Sequence, residues 1–277
     1  MTGERLAELH VHLEGTVRRD MPYDYSDLAG FFDVYLPAAR SMQSAADFER
    51  VIGEHAASMA EQGIGYAEVS INPSLHPDIS WWQGVVDGRQ RAMDELGVEI
   101  NWLIELVRGL PEDQNEWAVD FAIDTANVVG IGLVGDESPS TAELKPLVDR
   151  ARKAGLGFMP HAGQSGGPDV VREAVEVLGA RRVAHGIAAI ADESLMRELA
   201  SAEVCLCICP SSNAKIGLHP DYRVLADHGI ALTVNTDDPA MVGTTLVREL
   251  EIAEQRYGLN RSGLIDAAWK HRFGGRS

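Results

Sequence analysis

His10 and His12 stand two residues apart in a short run from Leu6 to Leu13 that is otherwise mostly apolar. On a β-strand that spacing sends both imidazoles to one side, about 6.6 Å apart along the chain, from where both can tip toward a single ion. Three further polar clusters punctuate the sequence: His161-Ala-Gly-Gln164, His185-Gly186 and Asp237-Asp238. Adding His161 and a carboxylate from Asp237 to the first pair gives nitrogen and oxygen ligands suited to one Zn²⁺, with a position left for water. Metal binding lowers the pKa of such a water toward ~7, so hydroxide becomes available at neutral pH. His185 is then the candidate to stabilise or deprotonate it. Asp237 and Asp238, adjacent on an extended segment, are expected to diverge, one reaching the metal and the other facing substrate.

Elements must bring these clusters together, and the pattern supplies them. Short apolar runs recur at Leu6–Leu13, Ile64–Ile71, Val98–Val107, Val129–Val134, Leu156–Pro160, Arg182–His185, Val204–Ile208 and Ile230–Asn235. Helical stretches alternate with them. The clearest begins at Ser44, an N-cap, with Phe48, Val51, Ile52, His55, Ala56 and Met59 on one face. Thr16 to Met42, broken by Pro22, Gly30 and Pro37, reads as a loop with short helical turns. Eight strands alternating with helices predict a closed α/β fold, the (β/α)8 TIM barrel, as one domain over residues 1–277. In that fold the catalytic face is the rim at the C-terminal ends of the strands. All the polar clusters are expected there, with Glu68 and Ser70 late in strand two and Gly135-Asp136-Glu137 after strand four.

Composition narrows the partners. The formal net charge of −18 repels nucleic-acid phosphate over most of the surface and fits an enzyme of a neutral or cationic small molecule. No window of about 18 apolar residues exists, and Met1 to Glu8 carries no long apolar stretch, so neither a membrane span nor a secretory signal is expected. Cys205, Cys207 and Cys209 are collinear on a strand with successive members ~6.6 Å apart. They read as small packing residues in a reducing, cytoplasmic setting rather than as a metal cluster. His76, His219, His228 and His271 have no evident partner in sequence and are expected at the surface.

Taken together, His10-Val-His-Leu-Glu-Gly15, Tyr66-Ala-Glu-Val69, Gly135-Asp-Glu137, His161-Ala-Gly163, Ala184-His-Gly186, Cys209-Pro-Ser-Ser-Asn213 and Asn235-Thr-Asp-Asp-Pro239 resemble the motifs of the adenosine and adenine deaminases of the amidohydrolase superfamily. They occur in that family's order over nearly the whole chain. The resemblance implies a zinc-dependent enzyme of purine metabolism, acting on a nucleobase or nucleoside, with His10, His12, His161 and Asp237 as ligands. By the same resemblance His185 assists the attacking water, Asp238 contacts a purine ring nitrogen, Gly135 contacts the ring through its backbone, and Glu14 belongs to the substrate site. The reduced segment after strand one implies an abbreviated lid.

One position departs. The family reads His-Ala-Gly-Glu, and that glutamate protonates the ring nitrogen; here it is Gln164. A carboxamide hydrogen-bonds but gives up no proton at neutral pH, and a positioned general acid is worth ~10²–10⁴-fold. Three readings follow: a zinc aminohydrolase of altered specificity, acting on an amino-heterocycle or cyclic amidine; an adenine or adenosine deaminase proper; and a nucleobase-binding homologue without catalysis.

Overall fold

The computed structural model describes residues 5–76 and 79–274. Eight parallel strands form one barrel in sequence order: β1 (Leu6–His12), β2 (Ile64–Ile71), β3 (Glu99–Val107), β4 (Val128–Val134), β5 (Gly157–Ala162), β6 (Arg182–His185), β7 (Cys205–Ile208) and β8 (Ala231–Val234). The ring closes where Val11 pairs with Asp237, through His12 N to Asp237 O (2.8 Å) and Asp237 N to His10 O (3.1 Å). The chain is therefore the expected (β/α)8 barrel.

Two apolar layers hold it. A large one lies between strands and outer helices, and includes Val11, Val69, Ile104, Ile131, Val183 and Leu206. A small one fills the barrel itself, with Leu9, Tyr66, Leu103, Met159, Ala184 and Cys207. Cys205, Cys207 and Cys209 are all buried and free, as packing residues should be. Among the described residues no helix is long and apolar enough to cross a membrane.

Three differences from the sequence reading bear on the site. The loop expected from Thr16 to Met42 contains a 13-residue helix, Leu28–Arg40, capped by Asp27 accepting from Gly30 N and continuing past Pro37. Its inner face lines the cavity described below, and that packing outweighs the lost backbone donor at Pro37. Second, Glu68 is not on the catalytic rim. It points into the opposite end of the barrel, where its Oε2 lies 2.6 Å from Arg182 Nη1, at the start of β6. Third, His76 is buried rather than at the surface, with Nε2 3.2 Å from Glu14 Oε1. His228 too has a partner, its Nδ1 lying 2.8 Å from Val224 O.

Candidate active site

Strand period places His10 and His12 on the inner face at the end of β1, and both are buried. The Nε2 of His10 lies 3.2 Å from His161 Nε2 and 3.1 Å from Asp237 Oδ1; for His12 Nε2 the same two distances are 3.2 and 3.3 Å. His161 lies within β5 rather than after it. Three imidazole nitrogens and a carboxylate oxygen thus point at one another. Lone pairs that converge in this way repel unless a cation lies among them. Ligands at ~2.0–2.1 Å from a tetrahedral Zn²⁺ are about 3.3–3.4 Å apart, which these separations match, so the residues fit the ion.

A looser group, with all ligand atoms within 4.8 Å, contains His185 with His10, His161 and Asp237. His12 is the better fourth member. Its Nδ1 lies 2.9 Å from Glu105 Oε1, a carboxylate that favours hydrogen on Nδ1 and so leaves Nε2 to face inward. The Nε2 of His185 stands back, 3.8 Å from Asp237 Oδ2.

The surrounding groups hold this arrangement. Ser212 Oγ donates to Asp237 Oδ2 at 2.6 Å, and Cys209 Sγ lies 3.4 Å from His10 Nδ1. Glu137 accepts from the backbone N–H groups of Gly163 (2.6 Å), Gln164 (3.2 Å) and Gly166 (2.9 Å), which fixes the loop after His161. Asp237 and His185 both adopt left-handed backbone, φ 64° and 63°. For residues with a Cβ that costs about 1–3 kcal/mol each, and such strain clusters at functional sites. Asp237 and Asp238 do diverge, but through this left-handed turn and not through an extended segment.

Electrostatics follow burial and neighbours. Burial, then the adjacent histidines, holds His161 well below its ordinary value. Burial opposes the charged form of His12, but Glu105 and Asp237 outweigh it and carry the group well above. Asp237 is likewise pulled well below against its burial, first by His10, while burial and Asp237 push Asp238 well above the carboxylate range. His185 is lowered to about 3, chiefly by burial. Its imidazole is therefore neutral at pH 7.

A cavity of about 370 Å³ opens over these residues. His12, His161, His185, Asp237 and Asp238 lie at its floor, Gly135 and Gln164 on its wall, and the Leu28–Arg40 helix covers it with Phe31, Tyr35 and Leu36. Asp238 Oδ1 is buried there without a partner. Glu14 does not reach the cavity: its Oε1 takes Asn72 N and His76 Nε2, which places it behind the wall as a support. The sequence reading missed Glu105, which lines the cavity and orients His12. It also missed the link from Gln164 Nε2 to Asn213 Oδ1 (3.1 Å), with Asn213 Nδ2 donating in turn to Tyr222 OH (2.8 Å). The motif containing Ser212 and Asn213 was visible; its partners were not.

The family model described as adenosine deaminase matches residues 19–271. Among curated relatives, an adenine deaminase of Sinorhizobium medicae is 31% identical, over 94% of this chain and 90% of its own. An aminodeoxyfutalosine deaminase of Streptomyces coelicolor is 33% identical, over 89% of this chain and 67% of its own. In structure, the adenine deaminase of Arthrobacter aurescens superposes with a TM-score of 0.90 at 24% identity, covering 99% of this chain and 95% of that one.

Proposed function

The chain belongs to the adenosine deaminase family and is a hydrolase of C–N bonds other than peptide bonds; from that premise we propose a zinc-dependent aminohydrolase whose substrate already carries hydrogen on the ring nitrogen that meets Gln164. The observation that carries this reading is the bond from Gln164 Nε2 to Asn213 Oδ1. With one amide N–H given to Asn213, we infer that Gln164 presents its carbonyl oxygen, an acceptor only, to the cavity. Adenine presents a bare nitrogen next to its amino-bearing carbon, and two acceptors facing each other repel. An amino-heterocycle or cyclic amidine with N–H at that place donates to Oε1 and needs no proton from the protein. A nucleobase or nucleoside of that type fits the cavity's size.

His10, His12, His161 and Asp237 would hold the zinc, which supplies activation of water. His185 takes the proton of the attacking water as oxygen adds to the amino-bearing carbon. Asp238 and the Gly135 backbone hold the ring, and Gln164 fixes the protonated nitrogen. The departing amine collects a proton and leaves as ammonia, so water and substrate yield a carbonyl and ammonia.

The test is ammonia release from a panel of amino-heterocycles by zinc-loaded wild type and Gln164→Glu. The expected result is turnover of N–H-bearing substrates by the wild type, with kcat/KM for adenine lower by ~10²–10⁴-fold and regained in Gln164→Glu. The names of the relatives favour a second reading, adenine or adenosine deamination with a water delivering the proton; full-rate adenine turnover by the wild type would establish it instead. Binding of nucleobases with no hydrolysis of any substrate would leave the non-catalytic reading.

A further inference from the structure

Behind the turn that carries Gly15 lies a second cleft of about 510 Å³. Its charge is opposite to that of the rest of the molecule. In a chain with 42 acidic and 24 basic side chains, this cleft is lined by Arg18, Arg19, Arg248 and His55 and by no carboxylate. Arg19 is held in place, stacked 3.7 Å over the Tyr23 ring with Nε and Nη2 donating to Met21 O (2.8 Å) and Pro22 O (2.7 Å), which leaves Nη1 for another acceptor. Among the described residues Arg18 makes a long contact, 3.4 Å, to Glu54 O. Arg248 forms an exposed pair with Glu251 at 3.2 Å, the kind of contact that contributes little and yields easily. Thr245 caps the 12-residue helix Leu246–Tyr257 at the cleft, so the positive end of that helix faces it as well.

The second, independent observation is His55. It sits on the apolar face of the Ala45–Glu61 helix with 8% of its surface exposed, and its Nε2 is buried without any partner. A buried polar atom left unpaired costs about 1–3 kcal/mol, and in the tautomer with hydrogen on Nε2 it is a donor in a side chain that lines this cleft. Burial, then Arg18, lowers this imidazole to about 4, so it is neutral and donates without adding charge of its own.

We propose that this cleft binds the phosphate group of a small phosphorylated molecule, with Arg18, Arg19 and Arg248 as charged donors and His55 as the buried one. Several guanidinium groups converging on one concavity match the multiple charges and oxygens of phosphate better than a single carboxylate. The site is separate from the catalytic cavity but shares a wall with it. Thr16 and Pro239 line the cleft, while Asp238, next to Pro239, lines the cavity, and Gly15 lies so close to Asp238 that a Cβ there would come within 2.0 Å of Oδ1.

Titration of inorganic pyrophosphate and of a nucleoside 5′-monophosphate into the zinc-loaded protein tests this, followed by calorimetry and by the ring nitrogen resonances of His55. Saturable binding that shifts the His55 signal is expected, weakened on the order of tenfold or more for each arginine removed in Arg18→Gln and Arg248→Gln. Read by the His55 shift, stronger binding of the nucleotide than of pyrophosphate assigns the cleft to an organic phosphate; the reverse assigns it to the free anion. Both residues are exposed, so an unchanged melting curve shows that the variants are folded. No saturable binding in the millimolar range overturns the proposal. So does equal affinity in wild type and variants, or binding that leaves the His55 resonance unmoved, since the anion then sits elsewhere.

Discussion

The two mouths of the barrel are both polar, and they are polar in opposite ways. At the N-terminal mouth Glu68 and Arg182 form a buried pair that other groups of the chain surround. Glu68 Oε1 accepts from Tyr66 OH (2.6 Å) and Gly274 N (3.0 Å), Arg182 Nη1 donates to His271 O (3.1 Å), and the Phe273 ring covers the guanidinium at 3.7 Å. At the C-terminal mouth the polar atoms face one another without mutual satisfaction: nitrogens at 3.2 Å, two left-handed residues, and Asp238 Oδ1 with no partner. At one end opposite charges meet each other, although Arg182 Nε and Nη2 keep no further partner among the described residues, whereas at the other like donors converge and have the form of something awaiting an ion and a substrate. A count of buried charges would rate them alike. The difference lies in whether a protein group of opposite charge already sits among them.

That contrast fails if damage at either end is felt at both. Arg182→Met leaves Glu68 buried without its cation, and the expected loss is about 3–5 kcal/mol of stability, read by denaturant unfolding. The folded fraction should keep its metal affinity and its kcat. At the other mouth Glu105→Gln should do the reverse. A carboxylate behind a metal-bound histidine is worth about 10–100-fold in metal affinity, and competition with a chelator would measure that loss while stability of the metal-free protein stays near wild type. If the metal-free Glu105→Gln protein is as destabilised as Arg182→Met, the two ends are not distinct in kind. The smallest effect concerns how tightly the lower mouth is packed. A Cβ at Gly157 would fall 2.2 Å from the Phe273 ring, so Gly157→Ala should cost about 1–3 kcal/mol by overpacking. Adding Phe273→Ala should then cost less than it does alone, a coupling that a double-mutant cycle would detect.

Much of the upper mouth was legible in the sequence because strand period is a local rule. His10-Val-His12 fixes two side chains on one face wherever β1 lies, and the ends of β6 and β8 follow from where apolar runs stop at His185 and before Asp237. Height along a strand is a different matter. Glu68 falls in the middle of β2, and only its pairing with Arg182, from a strand far along the chain, shows which mouth it faces. The same limit hid Glu105 and Asn213, whose roles exist only through contacts with His12 and Gln164. Likewise His76 read as a surface residue because its partner, Glu14, is brought to it by the barrel and not by sequence proximity. The helix over the cavity was hidden for the opposite reason: Pro37 gives a strong local signal against helix, and tertiary packing overrides it.

The seam between β8 and β1 also sets when this protein becomes itself. Leu9 N bonds to Asn235 Oδ1, 226 residues away, and Glu8 Oε1 accepts from Thr236 N across 228. A nascent chain makes the histidines of β1 long before the aspartate after β8. Until then β1 has an open edge, and the three candidate histidines lack the carboxylate on which they close. The site is thus a late event in biogenesis, tied to completion of the ring, and a metal ion that arrives afterwards reports that the whole barrel has been made.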